Sequence, residues 1–182
     1  NNKTIGAGLS RNKGIKVCRG QFIAFCDADD LWTKDKLKMQ LKFMKKKNIL
    51  FSHSNYSIID SNSKKISEFQ VPKNISYKQL IKSCDIGLST VMISKSLIKN
   101  NFFSFLKTKE DYLLWLRLIK HLKNFQSINK NLVYWRHLEN SLSSSNTQKL
   151  SDAFNLYRNH LNLNFFFSIF CVFRLSFYAL LK

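Results

Sequence analysis

Three carboxylates stand within four positions of this chain, at Asp27, Asp29 and Asp30. They follow the apolar, β-prone run 21–26, which is typical of a buried strand. A strand that ends in clustered Asp side chains places them at the rim of an open α/β sheet, where ligands bind. Carboxylates this close repel one another, so a hard divalent cation such as Mg²⁺ or Mn²⁺ that holds substrate phosphates would suit them.

A purely structural role for the same residues is the alternative, because Asp is common in turns and helix caps. A helix is predicted from about residue 33, close enough for the acidic residues to precede it. A calcium loop of the EF-hand type is excluded, since the positions that require Gly and Glu hold Trp32 and Lys38.

A second pair of carboxylates, Glu110 and Asp111, opens an amphipathic segment that is predicted to be helical over 108–122. Thr108 and Asp111 have the spacing of a capping box, and acidic residues suit the positive end of a helix dipole. From spacing alone, a helix cap is a sufficient explanation of this pair.

Alternating helices and strands must position both acidic groups. Periodicity predicts helices over 7–18, 33–46 and 108–122, strands over 21–26, 49–59, 88–93, 125–128 and 132–136, a short strand or loop over 66–75, and a polar loop over 141–147. In the second helix Leu37, Leu41 and Met44 recur at helical spacing and are expected to face the sheet. This order of elements favours an α/β domain, which 182 residues are enough to build.

The segment 165–181 is almost wholly apolar but shorter than the ~20 residues that span a bilayer. Arg174, near its middle, is a further cost against spanning. On a helix, one face would carry Phe166, Ile169, Phe170, Phe173, Phe177 and Leu180, with Arg174 and Lys182 on another. The pattern fits a helix that lies in the membrane interface, or one that packs on the domain or on a partner subunit.

The net charge of +19 permits attraction to nucleic acid or to an anionic membrane surface. No zinc-finger spacing, arginine-rich arm or RNA-binding signature is present, so nucleic acid is not an expected partner. We favour a basic surface that faces a membrane, with a general excess of lysine as the alternative. The four cysteines form no C-x-x-C pair, which argues against a disulfide framework or metal cluster and favours a reducing cytoplasmic compartment.

Further short motifs flank the acidic cluster in a fixed order. They are Gly-x-x-x-Ser-Arg-Asn-x-Gly-Ile over 6–15, Asp-x-Asp-Asp-x-Trp over 27–32, Lys-Leu-x-x-Gln from residue 36, Ile-Gly-Leu-Ser-Thr over 86–90, Glu-Asp-Tyr-Leu-Leu-Trp-Leu over 110–116, Tyr-Trp-Arg-His over 134–137 and Ser-Leu-Ser over 141–143. Over roughly residues 5–145 this series resembles glycosyltransferase family 2, whose members have the GT-A fold.

The resemblance implies a mixed α/β sheet of the GT-A (nucleotide-diphospho-sugar transferase) type flanked by helices. We expect a partial GT-A domain over 1–145 and a helical C-terminal tail over 146–182. Because the chain starts without Met and inside a family motif, we expect an N-terminally truncated fragment that lacks the first strand or strands. In the family that portion grips the nucleotide base, so the fragment alone is expected to bind a donor poorly.

For the acidic cluster, the resemblance implies that Asp29 is a direct ligand of Mg²⁺ or Mn²⁺. Asp27 would lie towards the ribose or the metal's water shell, and Asp30 would support the cluster or face the sugar. His137 could complete the coordination through a neutral imidazole, although a lone His is as compatible with a structural role.

For the second acidic pair, the resemblance implies that Asp111 is the catalytic base, with Glu110 beside it. A carboxylate near the acceptor hydroxyl can take its proton as the new bond forms, and direct displacement of this kind inverts the anomeric carbon. The remaining expected contacts are Arg11 and Arg136 with the nucleotide, and Ser89 and Thr90 with the sugar or acceptor.

The predicted function is therefore an inverting, metal-dependent glycosyltransferase in surface polysaccharide biosynthesis. It would move a sugar from a UDP-, GDP- or dTDP-sugar to a glycan or lipid-linked acceptor, as a peripheral protein on the cytoplasmic face of the cell membrane. A nucleotidyl- or phosphotransferase would also cluster Asp residues, but no Gly-rich phosphate loop with Lys and Ser/Thr is present. The alternative of a different class is a non-catalytic basic module that binds membrane or nucleic acid.

Overall fold

Helices and strands alternate along the chain, whose structure, a computed structural model, describes residues 6–99, 101–138 and 145–180. The helices are α1 (Ala7–Val17), α2 (Lys36–Lys47), α3 (Tyr77–Leu80), α4 (Lys95–Ile98), α5 (Glu110–Leu118), α6 (Asn146–Asn155) and α7 (Phe165–Leu180). The strands are β1 (Phe22–Ala24), β2 (Leu31–Trp32), β3 (Phe51–Ile59), β4 (Lys65–Phe69), β5 (Asn74–Ile75), β6 (Met92–Ser94) and β7 (Phe125–Arg136). The mixed α/β fold is thus confirmed, whereas the predicted motif at 141–143 and Lys182 lie outside the described residues.

The sheet brings the acidic cluster to one end of its central strands. Its order is β1-β6-β3-β7-β2, with β4 paired to β3 and β5 to β7. Strands β3 and β7 run parallel, and the other pairs among the described residues are antiparallel. Because β1 and β2 lie on opposite sides of this order, the acidic link between them crosses the end of the sheet.

Helix α5 is the most deeply buried helix and fixes the second acidic pair. Its predicted apolar stripe is confirmed, since Tyr112, Trp115 and Leu116 have no exposed surface. The Trp115 ring packs edge-on against Phe51, 5.1 Å between centroids. The Tyr112 hydroxyl donates to the carbonyl of Leu80 at 2.8 Å. A helix held this firmly gives the carboxylates at its first turn a fixed place.

Helix α2 buries a different face from the one that its leucines predict. Leu37 is 47% exposed, and the buried residues are Lys36, Gln40 and Met44, so the expectation for Leu37 is wrong. The Gln40 amide donates to the carbonyl of Thr90 at 2.8 Å, and Lys36 Nζ donates to Gln40 Oε1 at 2.8 Å. Burial lowers the pKa of Lys36 to about 8. These polar side chains can be buried because each has a hydrogen-bond partner in the interior.

The strands also depart from the predicted bounds. The segments predicted as two strands, 125–128 and 132–136, form the single strand β7, whose polar middle is bridged to β3 by a hydrogen bond from Asn55 Nδ2 to Asn129 Oδ1 at 3.1 Å. The predicted strand at 88–93 is a 3₁₀ turn over Leu88–Thr90 followed by β6. Asn146 and Thr147 begin α6 instead of ending a loop.

The C-terminal segment joins the same core and still leaves an aromatic surface in solvent. Leu156 and Tyr157 are fully buried, and α7 packs inward through Ser168, Cys171 and Leu175. The opposite side of α7 exposes large apolar side chains: Phe166, Phe170, Phe173, Phe177 and Leu180. The predicted tail helix is confirmed, and the domain boundary at residue 145 stays a prediction. In the described ranges, none of the helices combines the length and apolarity needed to cross a bilayer.

Candidate active site

A cleft of about 640 Å³ opens at the end of the sheet that carries the acidic link. It is lined mainly by α1, the link 27–30, the turn 86–90, residues 107–111 at the start of α5 and the end of β7, together with Tyr56 of β3 and Lys149 of α6. The predicted site residues that it brings together are Arg11, Asp27, Asp29, Asp30, Ser89, Thr90, Glu110, Asp111 and Arg136. His137 is not among the lining residues.

Arg11 joins the two acidic groups directly. One guanidinium nitrogen donates to Asp27 Oδ1 at 2.6 Å, and the other donates to Glu110 Oε1. The guanidinium carbon lies 5.5 Å from the centroid of the Phe103 ring. Residues 16 and 99 positions away in sequence are therefore clamped by one cation. Its predicted contact with the nucleotide stays a prediction.

Helix α1 approaches the loop before α5 closely enough to hold Arg11 in this position. The Asn12 side chain both donates to the carbonyl of Phe103 and accepts its N–H, each at 2.9 Å. A Cβ at Gly8 would lie 2.8 Å from the carbonyl oxygen of Ser104, which leaves no room for any other residue. Gly8 and Asn12 thus have a positioning role.

Two alanine substitutions in α1 test this close contact. We expect Gly8→Ala to lower the free energy of unfolding by about 1–3 kcal/mol, because the new methyl group is forced against backbone. Gly14→Ala in the same helix meets nothing within 4 Å and is expected to raise it by up to about 1 kcal/mol through helix propensity. Urea titration of both variants measures the difference, and equal effects would contradict it.

The acidic link is fixed by hydrogen bonds that leave one carboxylate free. The N–H of Asp27 donates to Ser89 Oγ at 3.0 Å, and Asp30 Oδ1 accepts the N–H of Arg136 at 2.9 Å. Asp30 is buried, and this burial, with Asp27 and Asp29 nearby, raises its pKa to about 6. Asp29 is exposed to the cleft, and its carboxylate accepts no hydrogen bond from the residues that the structure describes.

Arg136 fastens this link to the turn after β3. Its guanidinium donates to the carbonyl of Asp29 at 2.9 Å, to those of Asp60 and Ser61 at 2.8 and 3.0 Å, and to the Ser63 hydroxyl at 3.0 Å. Four bonds from one side chain fix the shape of the loop. The structure therefore gives Arg136 a positioning role, and its predicted contact with the nucleotide remains a prediction.

The start of α5 is not a capping box. Thr108 donates both its N–H and its hydroxyl to Asp152 Oδ2, at 2.7 and 2.9 Å, and Lys109 is the residue that precedes the helix. Asp111 Oδ1 accepts the N–H of Tyr112 at 2.6 Å. Burial raises the pKa of Asp111 and also, with Asp111 as a neighbour, that of Glu110. A carboxylate with a raised pKa in a cleft is suited to accept a proton.

The acidic link offers oxygen ligands of the kind that Mg²⁺ or Mn²⁺ takes. Asp29 and the second oxygen of Asp27 could bind a cation that completes its shell with phosphates and water. In the described ranges, no three His, Cys, Asp or Glu side chains lie close enough to hold an ion by themselves. His137 is exposed, its backbone N–H donates to the carbonyl of Ile59 at 2.8 Å, and its predicted part in metal coordination stays a prediction.

Sequence reasoning assigned no role to several residues that support or line the cleft. Trp32 Nε1 donates to the carbonyl of Ser89 at 3.0 Å and so supports the turn beneath Asp27. Lys107, Lys109 and Lys149 line the cleft beside the second acidic pair. The two lysines that flank Thr108 could have been found from the sequence, because they stand directly before the Glu-Asp pair. Lys149 could not, because nothing in its local sequence relates it to the acidic residues.

A mixed sheet whose end carries an acidic link, with the carboxylates at the start of α5 across the same cleft, is the arrangement of the GT-A fold. The chain matches the family described as glycosyltransferase-like family 2 over residues 1–176, and it belongs to that family. Its structure is similar to that of S. aureus TarS residues 1–349 in complex with UDP-GlcNAc, with a TM-score of 0.66 and 18% identity over 93% of this chain and 52% of that one.

Two curated relatives from Escherichia coli are similar in sequence. The chain is 40% identical over 147 residues to the UDP-Glc:alpha-D-GlcNAc-diphosphoundecaprenol beta-1,3-glucosyltransferase WfgD, which is 80% of this chain and 57% of that protein. It is 33% identical over 184 residues to WfaP, which is named for the same activity, over the whole of this chain and 71% of that protein. The chain thus spans between about half and three quarters of the length of these relatives.

Proposed function

We propose that the protein is an inverting, metal-dependent glycosyltransferase that moves a sugar from a nucleotide-sugar to a lipid-linked glycan in surface polysaccharide synthesis. The observation that carries this proposal is the cleft in which Arg11 clamps Asp27 of the acidic link to Glu110, the neighbour of Asp111. The leaving group of the donor and the hydroxyl of the acceptor react at the same anomeric carbon. The acidic residues that serve each of them must therefore lie close together, and the Arg11 clamp joins them.

The residues of the cleft divide between two tasks. Asp111 accepts the proton of the acceptor hydroxyl as that oxygen attacks the anomeric carbon from the side opposite the leaving diphosphate, so the configuration inverts. Arg11 and Glu110 hold the base-bearing helix against the acidic link. Ser89 fixes the backbone of Asp27, and Arg136 fixes the backbone of Asp29 and the carboxylate of Asp30.

A divalent cation would be held by Asp29 and Asp27. When bound, it supplies charge neutralisation to the leaving diphosphate as a Lewis acid. The exposure of Asp29 and the hydrogen bond between Asp30 and the Arg136 N–H support this division, in which Asp30 shapes the loop while Asp29 stays available.

Transfer assays with the full-length protein test the proposal. Because the relatives are named for UDP-Glc and a diphospholipid-linked GlcNAc, the first pair is UDP-glucose and GlcNAc-diphosphate linked to a short alkyl chain. GDP- and dTDP-sugars, and the omission of Mg²⁺ and Mn²⁺, are the comparisons. Metal-dependent formation of a β-linked disaccharide is expected, whereas absence of transfer from every donor would favour the non-catalytic binding module.

The exposed side of α7 supports attachment to the inner face of the membrane. Phe166, Phe173 and Leu180 are 82%, 73% and 85% exposed, an apolar surface that water alone does not favour. Arg174 turns inward instead, where it donates to the carbonyl of Ile81 at 3.1 Å. An aromatic face on a strongly basic protein suits an anionic bilayer surface, where the lipid-linked acceptor is found.

Polar substitutions on that face test membrane attachment. We expect Phe166, Phe173 and Phe177, all changed to Gln, to lower partition onto phosphatidylglycerol vesicles by about 10²-fold, at ~1 kcal/mol for each ring withdrawn from the interface. Sedimentation with vesicles measures the loss. Phe105→Gln, at an 86% exposed ring outside α7, is the control and should change little. Unchanged sedimentation of the triple variant would contradict the proposal, and a change in its oligomeric state would indicate a subunit contact.

A further inference from the structure

Three lysines surround the side of the cleft where the proposed base lies. Lys107, Lys109 and Lys149 line the same cleft as Glu110 and Asp111. The first two precede α5, and the third belongs to α6. The acidic link, where the donor's diphosphate is proposed to bind, meets this side of the cleft through the Arg11 clamp.

The two segments that carry these lysines are tied to each other. Thr108 is buried, and both its N–H and its hydroxyl donate to Asp152 of α6, at 2.7 and 2.9 Å. Lys109 has a φ of 66°, in the left-handed region that costs energy for a residue with a side chain. The turn that presents Lys107 and Lys109 next to α6 is therefore specified by several contacts.

The charges of these lysines are not neutralised by neighbouring carboxylates. Within 6–99, 101–138 and 145–180, none of the three forms an ion pair, in contrast to Arg11. Lys109 and Lys149 are half-buried, and Lys107 is exposed. The charge of Lys109 also opposes the burial-driven rise in the pKa of Asp111. An anion in the cleft would complete this arrangement.

We infer that Lys107, Lys109 and Lys149 form a subsite for the diphosphate group of the acceptor, an inference that rests on the proposed function. A diphosphate carries several negative charges, and clustered ammonium groups bind such an anion as point charges without demanding one geometry. The subsite lies beside the proposed base, so a diphosphate seated there holds the first sugar of the acceptor near Asp111. The class of acceptor selected is a sugar linked to lipid through a diphosphate.

Calorimetry on the full-length protein with geranyl diphosphate as the probe tests the subsite without requiring transfer. UDP and Mg²⁺ are present at saturation, so that the donor's own diphosphate position is occupied. We expect geranyl diphosphate to bind, geraniol not to bind, and the Lys107, Lys109 and Lys149 to Gln triple variant to bind geranyl diphosphate at least about 10-fold more weakly. Replacement of Lys42, Lys46 and Lys47 by Gln removes the same charge from exposed positions of α2 and should have no effect.

The outcomes separate this inference from the proposed function. Equal binding by wild type and triple variant, or no binding by wild type, overturns the subsite. A parallel loss of UDP affinity in the triple variant also overturns it, because the lysines would then serve the donor. Inorganic diphosphate that binds as well as the geranyl ester would make the site one for a free anion and overturn the assignment to an acceptor. Normal, lysine-dependent binding without transfer from any sugar donor would sustain the subsite while refuting the proposed function.

Discussion

Asp29→Asn is expected to reduce metal-dependent sugar transfer by about 10³-fold while the protein stays folded. Among the three clustered carboxylates only this one is exposed to the cleft and accepts no hydrogen bond from the described residues. An amide has no charge with which to hold a hard cation against the substrate diphosphate. Because none of the described residues bonds to the Asp29 side chain, the loss should fall on chemistry alone.

Turnover, metal affinity and thermal stability measured on one preparation decide this prediction. Titration with Mn²⁺ in the presence of UDP should show weaker binding in Asp29→Asn, and its melting temperature should be equal or higher, because repulsion within the cluster is relieved. Asp35→Asn, an exposed carboxylate at the start of α2, is the matched control and should retain activity. Transfer within a few-fold of wild type in Asp29→Asn would show that the proposed ligand is wrong.

Much of the fold follows from local periodicity, and the departures occur where polar groups find partners across the chain. The stripe Tyr112, Trp115 and Leu116 is apolar at helical spacing, so its burial could be predicted. The buried face of α2 could not, because Gln40 is satisfied there by Ser52 and Thr90, 12 and 50 positions away, and Lys36 by its bond to Gln40. A prediction from hydrophobicity places the leucines of that helix in the core. It does not account for the hydrogen bonds that satisfy a buried amide.

Short strands and long polar ones were missed for a related reason. Strand β2 is only two residues long and exists because it pairs with Val133 and Tyr134. The middle of β7 has the composition of a turn. It is nevertheless held to β3 by the hydrogen bond between Asn55 of β3 and Asn129 of β7, and the pairing of the two strands shifts register at Asn55. Pairing between distant segments leaves little trace in the local pattern.

For the site, the sequence predicted which residues line the cleft better than it predicted what each of them does. The motifs predicted which residues face one cleft, but they did not predict that Arg136 uses four of its five guanidinium N–H groups on carbonyl and hydroxyl oxygens of the protein. His137 follows it at the end of β7 and lies outside the cleft. Adjacent residues near a strand end point in different directions, so proximity in sequence does not decide which of them reaches a site.

Asp111→Asn is expected to lower the rate of sugar transfer by at least about 10²-fold, the usual scale for the loss of a positioned general base. The affinity for the donor should change little, because this carboxylate lies at the start of α5 and outside the acidic link. An Asn side chain can still accept the N–H of Tyr112 that Asp111 Oδ1 accepts at 2.6 Å, so the first turn of the helix should be preserved.

Stability and pH dependence distinguish a base from a helix cap. If Asp111 is only a helix cap, Asp111→Asn should be less stable than the wild type by about 0.5–1 kcal/mol and should keep normal activity per folded molecule. If Asp111 is instead a base whose pKa is raised by burial, the expected change in stability has the opposite sign. Above that pKa the ionised carboxylate makes the wild type less stable, so the neutral Asn variant should be as stable as the wild type or more stable there.

The same raised pKa should appear in catalysis. In the wild type the rate should fall as the pH decreases through the pKa of Asp111, because the protonated acid cannot accept a proton, and this limb of the pH profile should be lost in Asp111→Asn. Glu110→Gln is the neighbouring comparison, since it removes the negative charge that Arg11 clamps and should weaken donor binding and stability more than the chemical step. Near-normal turnover in Asp111→Asn with a lowered melting temperature would assign Asp111 to the helix and leave Glu110 as the candidate base.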